Sequence, residues 1–215
     1  MTSQLERLRE VMSRLRRDCP WDAEQTHESL LNHLIEETCE VVDAVEAGDD
    51  AELREELGDL LLQVYFHSQI ATDEGRFTID DVASGISEKL VRRHPHVFAD
   101  AEAPAQLLES WEAAKRREKG RSSALEGIAE SMSSVARMHK VISRARAHRV
   151  PVELPSEAVT AEEVGSQVLA LVARAQASGV DADAAIRATL RQLEDRIRSA
   201  EEQPETGDNT QPAFG

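Results

Sequence analysis

Apolar residues recur along most of the chain at spacings of three and four positions, which is the period of an amphipathic α-helix. Leu5, Leu8, Met12 and Leu15 define a first helix in this way, and the stretch CPWD ends it. β-branched residues that alternate with polar residues do not extend beyond a few positions. The pattern therefore predicts an all-α protein.

Helix start and stop signals divide the rest of the chain. Gly48 is expected to end the second helix, and Asp49 or Asp50 to cap the third. Thr78 and Asp81 resemble a capping box that opens the fourth helix. The helices predicted after the first cover approximately residues 26–47, 51–72, 78–93, 104–118, 132–148, 161–177 and 183–202.

One segment is echoed later in the chain. EELGDLLLQVYFHSQ, from Glu55, resembles EEVGSQVLALVARAQ, from Glu162. The second copy has Ser166 in place of Asp59 and, allowing a gap, Gln192 in place of Lys89. We interpret it as a worn half-repeat used for packing; chance similarity between amphipathic helices is the alternative.

Charge and cysteine content narrow the class of protein. The formal net charge of −16 argues against a nucleic-acid or anionic-membrane partner, because the protein's own field repels phosphate chains. The two cysteines form no plausible disulfide framework or zinc site, which is typical of reduced thiols in the cytoplasm. The first helix has interleaved acids unlike a signal peptide, and no window approaches the ~20 apolar residues of a membrane span.

Carboxylates lie beside the apolar stripes of the second and third helices. Glu37 and Glu40 are three residues apart on one flank of the second helix, and Glu56 and Asp59 have the same spacing among apolar neighbours on the third. A short connection makes these helices antiparallel neighbours, so both pairs can converge. With no thiolate or imidazole at matching spacing, Mg²⁺ or Mn²⁺ is the natural occupant. The alternative is an acidic, solvated helix face.

The motifs EETCE and ELGD resemble the paired acidic signature of the MazG family of all-α nucleoside triphosphate pyrophosphohydrolases. CPWDAEQTHESL and KLVRRHPHVF also look like stretches of that family. The resemblance implies that Glu37, Glu40, Glu56 and Asp59 bind Mg²⁺, with Glu36 in support of the site. The other residues that it implies are Lys89 and Arg93, for the triphosphate, and Trp111, for the base.

The resemblance also sets the expected organisation: a helical bundle of the MazG type with a helical C-terminal extension. We expect a catalytic domain at 1–148, a degenerate half-repeat at 149–202 and a disordered tail at 203–215. A homodimer or higher homo-oligomer is expected. Without the family, Lys89 and Arg93 are equally typical of a basic helix C-terminus, and Trp111 of a packing residue.

The expected reaction is Mg²⁺-dependent hydrolysis of nucleoside triphosphates to monophosphate and pyrophosphate, which would clean the nucleotide pool. One rival is a narrower pyrophosphohydrolase that acts on one dNTP, a modified nucleotide or phosphoribosyl-ATP. A rival of another class is a non-catalytic interaction protein with a structural metal ion.

Overall fold

A computed structural model describes residues 3–99 and 118–202 of the chain, and its residues cluster into two compact units, 1–101 (unit 1) and 102–215 (unit 2). Within the described ranges all regular structure is helical, so the all-α prediction is confirmed. None of these helices is long and apolar enough to be a membrane span. Unit 1 contains α1 (Gln4–Asp18), α2 (Pro20–Glu24), α3 (Leu31–Ala47), α4 (Asp50–Asp73), α5 (Ile79–Arg93) and α6 (Pro95–Phe98). Unit 2 contains α7 (Ser134–Ala147), α8 (Ala161–Ala177) and α9 (Ala182–Glu202).

The capping signals work as the sequence predicted. Asp49 caps α4, since its Oδ1 accepts hydrogen bonds from the backbone N–H groups of Ala51 and Glu52 at 2.9 and 3.2 Å. The side chains of Thr78 and Asp81 form a capping box at the start of α5. These bonds satisfy amide donors that have no partner within a helix.

The predicted start of the second helix at Thr26 is wrong, because α3 begins at Leu31. The backbone N–H of Thr26 donates to Ser29 Oγ at 2.9 Å, and that of Ser29 donates to Thr26 Oγ1 at 3.2 Å. This reciprocal pair closes a turn on itself. Thr26 therefore has the chemistry of a cap, but it caps a turn and not the helix.

The core of unit 1 gathers on the second half of α4. Tyr65, Phe66 and Ile70 pack with Met12 of α1 and with Leu30. The first half of α4 is less buried than the second, since it leaves Leu57 exposed to 49%. The core therefore fixes α4 from its middle onward, while an apolar strip near its start stays open.

Two polar contacts fasten the turn before α3 to the rest of unit 1. His27 and His67 stack with ring centroids 5.0 Å apart, and their Nδ1 atoms are 2.7 Å apart. Arg16 of α1 donates to the carbonyl oxygen of Gln25 at 3.0 Å. His27 and His67 are far apart in the sequence, and Arg16 and Gln25 are not at helical spacing. The periodicity of the sequence therefore predicts neither contact.

Unit 2 has a core of its own, in which α7 packs against α9. The helix predicted at 132–148 is thus α7, and it belongs to the second compact unit. Most of the helix predicted at 104–118 and the tail at 203–215 lie outside the described residues. The fully buried side chains of this core include Val141 and Ile197; its other buried members are Ala124, Ile128, Ala145, Leu190 and Leu193.

Candidate metal centre

A two-residue connection sets the geometry of the site. Gly48 follows α3 in the left-handed conformation, with φ of 69°, which glycine adopts without a steric penalty. Asp49 then caps α4 at once. A connection this short makes α3 and α4 antiparallel neighbours, and α3 provides the most extensive helix packing that α4 makes.

Three carboxylates converge between these helices. Glu37 of α3 and Glu56 and Asp59 of α4 each offer an oxygen atom, and these oxygens lie within 4.8 Å of one another. All three side chains are partly buried. We call Glu37, Glu56 and Asp59 the acidic cluster. Oxygen donors held this close are typical ligands of a hard divalent cation.

The electrostatics of the acidic cluster favour neutralisation. Burial raises the pKa of Glu37, and the negative charges of Asp59 and Glu40 raise it further. Burial also raises the pKa of Glu56, with Glu40 and Asp59 as the next causes. Each group thus makes its neighbours harder to ionise, and a bound cation would reverse that effect.

The other two predicted acids lie beside the acidic cluster. Glu40 is exposed and is not among the three oxygens that converge, but its charge acts on both Glu37 and Glu56. Glu36 is exposed too, and its carboxylate lies 3.8 Å from Nδ1 of His33.

Lys89 and Arg93 lie one turn apart on α5, which packs against α4. Both side chains are partly buried. The structure therefore joins them to unit 1, the unit that holds the acidic cluster, and their contact with a triphosphate stays a prediction. Trp111, the predicted contact of the base, lies outside the described residues.

Two further side chains near these helices, Gln63 and Trp21, were not among the predicted site residues. Gln63, one turn after Asp59 on α4, is buried, and its Oε1 accepts no hydrogen bond from the described residues. Trp21 of α2 makes edge contacts with His33 and Phe66 while remaining 55% exposed. The apolar residues around Gln63 were the only signal for its burial.

Acidic side chains that converge from two antiparallel helices are typical of one class of divalent-cation site in helical proteins. The domain model described as MazG nucleotide pyrophosphohydrolase matches residues 25–98, which contain the whole acidic cluster. A nucleoside triphosphate pyrophosphohydrolase/pyrophosphatase MazG of Thermotoga maritima is 35% identical over 92% of this chain and 85% of its own length. The chain therefore belongs to the MazG family of nucleotide pyrophosphohydrolases, a family of hydrolase enzymes.

Other relatives extend this comparison. An uncharacterized 26.1 kDa protein of Streptomyces cacaoi is 47% identical over 89% of this chain and 80% of its own length. A nucleoside triphosphate pyrophosphohydrolase of Mycobacterium tuberculosis is 41% identical over 89% of this chain, which spans only 56% of that relative. A nucleoside triphosphate pyrophosphohydrolase of Escherichia coli K12 is 46% identical over 66% of this chain and 57% of its own length. The chain thus covers little more than half of these last two relatives.

Proposed function

We propose that this protein hydrolyses nucleoside triphosphates to nucleoside monophosphate and pyrophosphate with Mg²⁺ as cofactor, Mn²⁺ being a possible substitute. The observation that carries the proposal is the convergence of three carboxylate oxygens within 4.8 Å in the acidic cluster. Relatives named nucleoside triphosphate pyrophosphohydrolases support the substrate class. Cleaning of the nucleotide pool is the role that we assign to the reaction, in the cytoplasm.

The donor set of the acidic cluster fits a hard divalent ion. Glu37, Glu56 and Asp59 provide oxygen atoms only, and the raised pKa values of both glutamates show an excess of negative charge that a cation would relieve. Glu40, whose charge acts on both glutamates, is the candidate for a fourth acidic ligand. When bound, Mg²⁺ supplies charge neutralisation and polarises the α-phosphate.

In the proposed reaction, the oxygen of a water molecule attacks the α-phosphorus, and the bond from that phosphorus to the bridging oxygen breaks. Pyrophosphate leaves with the electron pair of that bond, and the proton of the water passes to a carboxylate or to solvent. Glu36 and Glu40 are the acids that we assign to the orientation of this water. Phosphoryl transfer of this kind depends mainly on alignment and on electrostatic stabilisation.

Lys89 and Arg93 are assigned to the leaving group. Negative charge develops on pyrophosphate as the bond breaks, and cations placed beside it stabilise the transition state more than the ground state. Their spacing of four residues presents both side chains on one face of α5. Trp111 is assigned, through the family resemblance alone, to the base.

The decisive assay measures pyrophosphate release from the eight standard NTPs and dNTPs, with Mg²⁺ and with EDTA. Glu56→Gln keeps the size of the side chain but removes a cluster ligand, so we expect a loss on the order of 100-fold or more. Glu55→Gln, an exposed neighbour on α4, is the matched control and should keep most of the activity.

The outcomes separate the candidate functions. Metal-dependent release that Glu56→Gln abolishes and Glu55→Gln retains would establish the reaction and its site together. If no substrate is cleaved while Mg²⁺ still raises the melting temperature, the general hydrolase proposal fails. A specialised nucleotide or a structural ion would then account for the site.

We also propose that the protein is a homo-oligomer, with a homodimer as the basic assembly. Half-exposed apolar side chains line the outer faces of α3 and α4, where a second copy could cover them. They are Leu31, Ile35, Val42, Val45, Leu57 and Val64. Sedimentation of the purified chain tests this assembly.

A further inference from the structure

Helix α8 presents an apolar stripe that no other described part of unit 2 covers. Val164, Val168, Leu171 and Val172 lie at helical spacing on one side of it, and each is more than 40% exposed. No residue of α8 is buried, and its described helix partner is α9. A helix of 17 residues with one continuous apolar face gains most of its stability from tertiary contacts.

Comparison of the two copies of the internal repeat shows that the apolar stripe of α8 lacks the packing that α4 has. Aligned on their common EE-x-G sequence, Tyr65 of α4 corresponds to Val172 of α8. Tyr65 is 8% exposed, whereas Val172 is 43% exposed. Phe66 is buried in the same way, and its counterpart Ala173 is exposed. The positions that α4 uses for its core are therefore open on α8.

The difference in burial between α4 and α8 follows from the order of the helices in each unit. In unit 1, α3 precedes α4 and packs along it. In unit 2, the helix before α8 is α7, which packs against α9, and residues 149–160 between α7 and α8 contain no helix. Unit 2 thus has counterparts of α4 and α5, but none of its described helices packs along α8 as extensively as α3 packs along α4. An apolar helix face without its partner helix is a surface to be covered from outside.

The charges on α8 indicate which partner fits. Its first turn carries Glu162 and Glu163, and its last turn carries Arg174. Glu163 and Arg174 are eleven residues apart, about three full turns, so both lie on the same flank of the apolar stripe. An antiparallel copy of the helix would bring the acidic end of each chain beside Arg174 of the other. A parallel copy would instead bring like charges together.

We propose that α8 pairs antiparallel with α8 of a second copy of this chain, so that the apolar stripes of the two helices cover each other. The pairing takes over the role that α3 has beside α4. It is independent of the proposed hydrolase activity, because α8 contains none of the residues assigned to that reaction.

Disulfide trapping tests the pairing directly in the full chain, with Cys19 and Cys39 replaced by serine. Val168→Cys places a thiol near the middle of the stripe, close to the twofold axis. Ala170→Cys is the matched control, because Ala170 is two residues further along, is exposed as well, and lies on the opposite side of α8 from the stripe. Under mild oxidation of dilute protein, we expect Val168→Cys to form a covalent dimer at least about tenfold faster, since disulfides need Cβ atoms close together. Equal rates for the two variants would overturn the proposal.

A charge within the stripe gives a second test. Val168→Glu should halve the mass of the particle in analytical ultracentrifugation, whereas Ala170→Glu, on the opposite side of α8, should leave it unchanged. The halving takes a tetramer to a dimer if α3 and α4 also pair, and a dimer to a monomer if they do not. Circular dichroism and pyrophosphate release should be preserved in both variants. An unchanged mass for Val168→Glu, as expected if another part of the same chain covers α8, would refute the pairing.

Discussion

At the scale of single residues, the acidic cluster sets function against stability. Glu37, Glu56 and Asp59 hold carboxylate oxygens within 4.8 Å, where like charges repel. Burial and neighbouring acids raise the pKa of both glutamates, so the ionised cluster costs free energy in the absence of a cation. Such a cost in free energy is typical of a functional site that binds a charged ligand.

The raised pKa values predict how stability depends on pH. A carboxyl whose pKa is higher in the folded chain adds stability below its ordinary pKa of about 4.3, and that contribution disappears as the pH rises through the raised value. Removing the charge of Glu56 should therefore stabilise the metal-free protein at neutral pH. In EDTA at pH 7, we expect Glu56→Gln to raise the melting temperature by a few degrees, with the gain vanishing near pH 4.

Two comparisons make this prediction specific. Glu46→Gln removes an exposed charge of α3 that has no part in the acidic cluster, and it should change the melting temperature little at either pH. Excess Mg²⁺ should raise the melting temperature of the wild type more than that of Glu56→Gln, because ligand binding stabilises only the folded state. A Glu56→Gln variant that is less stable than the wild type in EDTA would contradict the account of repulsion.

The basic residues of α5 predict a different kinetic effect. Lys89→Met keeps most of the aliphatic stem and removes the charge, so we expect kcat/KM to fall on the order of 100-fold if Lys89 stabilises the leaving pyrophosphate. Arg92→Met removes one charge from the same last turn of α5, at a residue that is not assigned to the leaving group, and should have a smaller effect. Steady-state kinetics at saturating Mg²⁺ compares the two variants. Equal losses would indicate only a general effect of positive charge.

At the scale of helices, the ends of an element could be predicted from the sequence where a single residue decides the local structure. Gly48, Asp49 and the Thr78–Asp81 box were found in this way, since each satisfies a backbone requirement within a few residues. The start of α3 was missed because a cap on a turn and a cap on a helix use the same chemistry at Thr26.

The candidate site likewise has contacts that the sequence predicts and contacts that it does not. Helical spacing brings Glu56 and Asp59 together on α4, and the short connection adds Glu37, so convergence of the cluster could be predicted. The contact of His27 with His67 depends on how distant segments pack, and no local pattern carries that information. The exposure of Leu57 on α4 is not predictable for a related reason, because an apolar stripe does not say whether its own chain covers it.

The cap of α4 gives a prediction for the element that carries the site. Asp49→Ala leaves the amides of Ala51 and Glu52 without their acceptor, which should lower the free energy of unfolding by about 1 kcal/mol. Asp50→Ala is the control, because Asp50 is the first residue of the helix and no hydrogen bond of its side chain supports the cap. Urea unfolding followed by circular dichroism measures both variants. An equal loss in Asp50→Ala would point to the helix dipole as the cause in place of the cap.

At the scale of the whole molecule, the chain has two separate hydrophobic cores. Met12 and Leu30 belong to the core of unit 1, and Val141 and Ile197 to the core of unit 2. The acidic cluster lies entirely in unit 1, and α8 entirely in unit 2. This arrangement separates the proposed chemistry from the proposed pairing of α8, and it allows the stability of one unit to change without the other.

Substitution of Ile197 tests this independence. Ile197 has no exposed surface, so Ile197→Ala should lower the stability of unit 2 by about 2–5 kcal/mol, and Ile197→Val by about 0.5–1.5 kcal/mol. Differential scanning calorimetry with and without Mg²⁺ identifies the transition of unit 1 as the one that the ion shifts upward. We expect that transition and pyrophosphate release to persist in both variants, while the other transition falls in the order Ala below Val below wild type. If Ile197→Ala instead moves a single transition and abolishes activity at a temperature where the wild type is active, the two units unfold cooperatively, and the site in unit 1 depends on the core of unit 2.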